Sequence, residues 1–313
     1  MTYNLYGLVL ALAGAGMLIL MALTGKRFGL RSGAVALMGA MGVPLAWLCA
    51  RLVYCLVDMG YFISTISTPS KMLCFWDGGY SLMGAGLGLV LAAWLTAKVL
   101  KDSPAGLLDS LFTFLPGFIL AERLAESLTT LGLGREVQTE WLRQSAFFAV
   151  EDSGGYLCHA VYRYEAVVAA ILLAVMVGLA FGCPKARKWP KGDLALIMMT
   201  LYGCAQVILE SFRDDGHMMW GFVRANQIFA IFLPATALIV FTVRGIRKAG
   251  FSWKPVAMWI AAAGSIALGI VKEFDVDISL NLWVDYGVMC LALAIIAATV
   301  GVAHAWERRV SKN

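Results

Sequence analysis

Apolar stretches close to the length that crosses a bilayer as helix recur along this whole chain, and they leave it few other folds. A helix rises 1.5 Å per residue, so about 20 residues cross a hydrocarbon layer about 30 Å thick. Stretches of this kind run at about 5–23, 32–56, 78–99, 107–131, 161–181, 194–212, 227–243, 255–271 and 282–302. The sequence is 60% hydrophobic and 14% charged, where a soluble domain carries about a quarter charged residues. A barrel would need short alternating strands instead. The predicted fold class is therefore all-α: a polytopic transmembrane helical bundle of about nine spans.

Lysine and arginine set the predicted orientation. Lys26-Arg27 with Arg31, Lys98 with Lys101, Lys185 with Arg187-Lys188 and Lys191, and Arg244 with Arg247-Lys248 follow the first, third, fifth and seventh spans. Arg308-Arg309 and Lys312 follow the last. The intervening connections hold Asp77, Glu136, Glu140, Glu151, Asp152, Asp214 and Asp215. The N-terminus is expected outside and the C-terminus inside. The formal net charge of +5 then reads as topology, and no nucleic-acid partner is expected. The first span lacks a basic leader and a small-residue cleavage site, so it reads as a true first helix. Seven cysteines without C-x-x-C spacing argue against zinc or iron–sulfur centres. Cys74 and Cys158 both fall on the outward side, as a disulfide or as two separate thiols. The connection 132–160 is expected to form a small outward head with an amphipathic segment near 141–150.

Charge inside a span is costly and points to function. Arg51 lies deep in the second span, either snorkelling to a headgroup layer or serving a site. Glu122, Arg123 and Glu126 sit within one turn of the fourth span, either neutralising one another or turning a cation toward a phosphate. His159, Tyr164 and Glu165 open the fifth span. Tyr202, Gln206, Glu210 and Arg213 recur at helical spacing along the sixth, a polar stripe on one face. Phe75-Trp76-Asp77-Gly78-Gly79-Tyr80-Ser81 places a carboxylate, two glycines and a hydroxyl where the chain enters the third span.

Taken in order, these landmarks resemble the prolipoprotein diacylglyceryl transferase family. Tyr6-Gly7 resembles its early Tyr-Gly, and Ala50-Arg51-Leu52 with Tyr54 its Gly-Arg-Leu-Gly-Tyr element. Trp76-Asp77-Gly78-Gly79 with Ser81 matches most closely. Arg123 falls at the signature arginine, and His159 to Tyr164-Glu165 keeps the spacing of His-Pro-Ser-Gln-Leu-Tyr-Glu. Tyr202-Gly203, Glu210 and Phe212-Arg213 with Asp215 follow the sixth-span pattern. Asn226-Gln227 stands where Gly-Gln opens the seventh. The resemblance covers about 5–243. It implies transfer of a diacylglyceryl group from phosphatidylglycerol, or another anionic phospholipid, to the lipobox cysteine thiol of an exported prolipoprotein. It also implies a bacterial cytoplasmic (inner) membrane location, and a chemistry that needs no metal or cofactor. Arg123, Glu126, His159 and Glu210 are the candidate catalytic residues. Tyr6, Arg51, Asp77, Gly78, Gly79, Ser81, Tyr164, Glu165, Tyr202, Gln206, Arg213, Arg224 and Gln227 are the candidate substrate-binding residues.

The chain departs from the family pattern at three chemically loaded positions. Met83 stands for a histidine, Gln206 for an arginine, and Glu126 for an asparagine. Arg224 or Arg163 would supply the missing cation, and His159 or Glu126 the base. The alternative is a relative that holds phospholipid without transfer. A transporter is the third reading, and the internal repeats or interrupted paired spans it would show are not evident. The expected division is a transferase-like core at 1–243 followed by two additional transmembrane helices and a basic cytoplasmic tail at 244–313.

Overall fold

The computed structural model describes residues 2–129, 131–214, 216–220, 223–276 and 282–311. Asp215 of the sixth-span pattern and Lys312 of the basic tail lie outside them. Among the described residues, nine helices are long and apolar enough to cross a membrane. They are α1 (Thr2–Thr24), α2 (Ala34–Val57), α4 (Leu82–Leu100), α5 (Pro104–Ala125), α7 (Val161–Val177), α8 (Asp193–Phe212), α9 (Ala225–Ala249), α10 (Trp253–Val276) and α11 (Leu282–Val310). Each matches one of the stretches read from the sequence. Two shorter helices complete the set: α3 (Met59–Ser67), after α2, and α6 (Glu140–Arg143).

The chain forms two compact units. The first comprises Met1–Ala195 with Phe212–Asn226, the second Leu196–Ser211 with Gln227–Asn313. In the first unit, α2 and α4 meet at backbone distance because Gly84 and Gly88, one turn apart, present no side chain to α2. A Cβ at Gly84 would lie 2.6 Å from the Cys49 carbonyl oxygen, and one at Gly88 2.4 Å from that of Leu45. Such small-residue seams replace the hydrophobic drive that lipid removes. Two helix starts in this unit are closed by side chains. Ser81 Oγ accepts the Gly84 N–H at 3.1 Å and caps α4. Asp109, buried in α5, accepts the backbone N–H groups of Gly192 (2.7 Å) and Ala195 (2.9 Å) at the start of α8. Orphan amide donors at a helix start need such partners, and the carboxylate favours the positive end of the helix dipole.

The connection 132–160 is a small head of mixed structure. The stretch expected to be amphipathic folds as the single turn α6 and then as strand β1 (Ala149–Glu151), antiparallel to β2 (Leu157–His159). A tight turn joins the two strands. Asp152 Oδ1 accepts the amides of Gly154 (2.8 Å) and Tyr156 (2.9 Å), and Gly155 adopts φ 83°, so Asp-Ser-Gly-Gly closes a hairpin. Val137, Leu142 and Ala149 bury beneath it with Phe148 and Leu157. Cys74 and Cys158 are both free thiols. Burial, reinforced by Asp152, Glu136 and Asp214, pushes the Cys158 thiol above its usual range.

In the second unit, Leu196, Ala237, Leu238, Phe241, Met258, Ala262, Val300 and Ala303 share a core. Gly203 lets α8 approach α9, where a Cβ would meet the Ala230 carbonyl oxygen at 2.4 Å. Lys248 pairs with Glu307, and Lys272 with Asp285 at 3.0 Å.

The α2–α4 seam sets a test. Replacing Gly88 with valine overpacks it by roughly 1–3 kcal/mol and lowers the apparent melting midpoint in detergent. Gly86→Ala, at a position with nothing within 4 Å, leaves the midpoint unchanged or slightly raised.

Candidate active site

The last turn of α5 carries Glu122 and Arg123, and the 3-10 turn that follows it carries Glu126. α7 contributes Glu165 from near its start, and Arg213 follows the end of α8. None of the five is more than 9% exposed. Glu126 Oε1 is 2.6 Å from Arg123 Nη1 and 3.3 Å from Arg213 Nη2. Glu165 Oε2 is 3.2 Å from Arg123 Nε and 2.8 Å from Arg213 Nη1. These contacts close a ring, Arg123–Glu126–Arg213–Glu165. Glu122 joins from outside it, 3.1 Å from Arg123 Nε, and its other oxygen accepts the Tyr6 hydroxyl of α1 at 3.4 Å. Buried ions survive only when partners replace their lost hydration, and a closed ring supplies them.

Among the described contacts the balance of this cluster is uneven: two guanidinium groups face three carboxylates. Glu126 Oε2 is moreover buried with no hydrogen-bond partner among the described residues. It looks onto Gly132, where a Cβ would lie 2.5 Å away and where φ is +74°. Gly134 makes a β-bridge with Arg213, and Asp214 N donates to the Leu133 carbonyl at 3.1 Å. The segment 132–134 thus passes directly over the cluster and fixes Arg213, with glycines at 132 and 134 where a Cβ would clash.

Arg51 anchors a second constellation in the same unit. It is 0% exposed and does not snorkel. Its guanidinium donates to the carbonyls of Gly78, Gly79 (3.3 Å) and Lys71 (3.1 Å) and to the Tyr61 hydroxyl. Tyr61 in turn donates to Asp77 Oδ2 at 3.1 Å. Gly78 and Gly79 both have φ 73°, which lets consecutive carbonyls turn back onto the arginine. A Cβ at Gly79 would also strike the Tyr54 ring. The glycine pair therefore serves loop closure around Arg51, and Ser81 serves as the cap of α4. Tyr61, absent from the sequence-based set, is central here; it lies in a connection between spans, where no periodicity singles it out.

His159 ends β2, next to the first cluster, its ring 6.0 Å from that of Phe212. Tyr164 donates its hydroxyl to the Phe148 carbonyl at 2.9 Å, so at 3.0 Å it accepts from His159 Nδ1. That fixes the Nδ1–H tautomer and leaves the lone pair on Nε2. Burial holds the imidazole pKa below its usual value. Arg163 is engaged by the Ala146 and Phe147 carbonyls of the head. Arg224, on strand β4 (Val223–Arg224), which pairs with β3 (Met219–Trp220), lies 3.8 Å from Asp214, and its Nη1 is buried without a hydrogen-bond partner among the described residues.

Tyr202, Gln206, Glu210 and Gln227 belong to the second unit. Gln206 donates to Glu210 Oε2 at 3.3 Å, and Gln227 donates to the Val207 carbonyl (3.2 Å) and to Glu273 Oε1 (2.8 Å). Glu122 was visible in the sequence as part of a charged triplet, and Glu273 lies beyond the stretch that carries the motifs.

Fold and site define a polytopic membrane protein that holds a ring of arginines and glutamates among its spanning helices. The chain belongs to the prolipoprotein diacylglyceryl transferase family, whose model matches residues 1–243. It is 23% identical over 263 residues to the phosphatidylglycerol–prolipoprotein diacylglyceryl transferase of Limosilactobacillus reuteri, covering 80% of this chain and 90% of that one. It is 22% identical over 213 residues to the enzyme so named in Clostridium novyi (66% and 78%), and 24% over 248 residues to that of Bacillus licheniformis (75% and 87%).

The state of His159 generates a prediction. Folding holds the ring neutral, so its contribution is present above the ordinary value of 6.5 and is lost as pH falls through the lower folded value. The melting midpoint therefore drops on acidification below 6.5, and His159→Gln removes that part of the slope.

Proposed function

We propose that this protein is a phosphatidylglycerol–prolipoprotein diacylglyceryl transferase of the bacterial cytoplasmic (inner) membrane, with its N-terminus outside and its C-terminus inside. It moves a diacylglyceryl group from phosphatidylglycerol, or another anionic phospholipid, to the lipobox cysteine of an exported prolipoprotein. Residues 1–243 form the transferase core, and 244–313 add two helices and a basic tail. The observation that carries this reading is the buried ring of Arg123 and Arg213 with Glu126 and Glu165. Guanidinium groups bind phosphate oxygens in a bidentate fork.

In the proposed reaction the cysteine S–H gives its proton to Glu126 Oε2, which has no hydrogen-bond partner among the described residues. The thiolate attacks the glycerol carbon that bears the phosphate ester. The S–C bond forms, the C–O bond breaks, and the oxygen keeps the electron pair and leaves as glycerol phosphate. Protonation neutralises the carboxylate shared by Arg123 and Arg213, so both guanidinium groups loosen from it. Two cations then face two carboxylates, and the freed N–H donors meet the charge growing on the leaving phosphate. His159, with its Nε2 lone pair, is the second base available. Arg224, whose Nη1 has no hydrogen-bond partner among the described residues, supplies the charge that Gln206 does not carry.

A second reading, a relative that holds phospholipid without transfer, is favoured by Met83, whose thioether takes no proton, and by Gln206. Purified protein given phosphatidylglycerol and a synthetic lipobox peptide separates the two. Transfer raises the peptide mass by one diacylglyceryl group, and a Cys→Ser peptide gains nothing. Arg123→Ala lowers the rate by roughly 100-fold or more, and Arg224→Ala by a smaller factor. Retention of phosphatidylglycerol with no mass gain establishes the second reading, and an unimpaired Arg224→Ala protein removes that residue from the mechanism.

A further inference from the structure

α10 and α11 lie beyond the stretch that matches the family model, and a groove of about 820 Å³ opens between them. This is within the size range of pockets that hold small organic ligands. Its floor is apolar and shallow-sided, with Ala261 and Ala298 among the lining residues. At one end stand Trp253 and Lys254, the start of α10, and Trp306 and Arg309, near the end of α11. Both cations are exposed, and neither has a carboxylate partner among the described residues. The neighbouring charges differ: Lys248 is taken up by Glu307 and Ser311.

We infer that this groove binds an anionic glycerophospholipid, its acyl chains along the Ala261–Ala298 floor and its phosphate between Lys254 and Arg309. The two ends of the groove match the two ends of such a lipid. Tryptophans gather at the membrane–water boundary, where an apolar ring with one N–H suits both phases. Basic residues between spanning helices at that level attract anionic headgroups. A partner helix would answer the apolar floor but leave the two cations unmatched; a zwitterionic lipid would answer the floor and gain little from the charges. The inference rests on the membrane-spanning fold and stands apart from the transfer chemistry.

Native mass spectrometry of the full chain tests it, with phosphatidylglycerol and phosphatidylcholine of identical acyl chains titrated into the detergent-solubilised protein. The wild type retains one more phosphatidylglycerol than the Lys254→Gln/Arg309→Gln protein, whose affinity at this site is weaker by roughly thirty-fold. The Lys254→Arg/Arg309→Lys protein keeps the extra lipid, and phosphatidylcholine is not retained at this site by any of them. Equal phosphatidylglycerol retention by the wild type and the glutamine variant would overturn the inference. So would equal retention of the two lipids by the wild type, or loss of the extra lipid in the charge-conserving variant. The readout needs no turnover, so an absence of peptide modification leaves this result interpretable, and the glutamine variant keeps whatever transfer rate the wild type has.

Discussion

The closed ring of Arg123, Glu126, Arg213 and Glu165 is the interaction on which the rest of the first unit depends. Four ionised groups in an apolar slab are tolerable only if each is held by two others, because removing one partner from a buried pair costs roughly 3–5 kcal/mol. The ring therefore demands that the ends of α5, α7 and α8 be fixed relative to one another. Gly132 and Gly134 meet that demand by bringing the head segment across the ring, and the bridge from Gly134 to Arg213 locks the second arginine. The same geometry leaves one carboxylate oxygen, Glu126 Oε2, without a hydrogen bond among the described residues, and this is the atom proposed to take the thiol proton.

Two arginines deep in apolar sequence have different uses. Arg123 is surrounded by carboxylates. Arg51 is surrounded by carbonyls and a phenol, which do not titrate in the same way, and it works as a fixed pin for the Trp76–Ser81 turn. Charge-assisted hydrogen bonds to backbone oxygens are strong and pH-independent. In the proposed reaction Arg123 is the cation that is released and Arg51 the one that stays fixed, a difference set by the chemistry of their acceptors.

Much of this was legible in the chain. Each spanning helix follows from the length of its apolar stretch, and Arg123, Glu126, Glu165 and Arg213 each announce themselves as charge where lipid should be. What the sequence withheld is their partnership. Arg213 meets Glu165 and Glu126 across 48 and 87 residues, distances over which no local periodicity operates. Gly78 and Gly79 were visible as permissive positions, but not that their carbonyls face Arg51 rather than a ligand. Between 141 and 150 the buried Leu142 and Ala149 come from different elements, a turn of helix and a strand, which no single periodicity describes. Tyr202, Gln206 and Glu210 follow the four-residue spacing of α8, and the hydrogen bond between the last two lies along that helix face.

The central claim is that Glu126 both accepts the thiol proton and restrains the phosphate-binding cations until it does. Glu126→Gln separates these roles, since the amide keeps the shape, cannot take the proton, and removes one of the three negative charges. The measurement is phosphatidylglycerol affinity and lipobox-peptide transfer on the same variant. The account predicts tighter phospholipid binding together with a transfer rate reduced by roughly 100-fold or more, as expected on losing a general base. Weaker binding, or transfer at the wild-type rate, would contradict it.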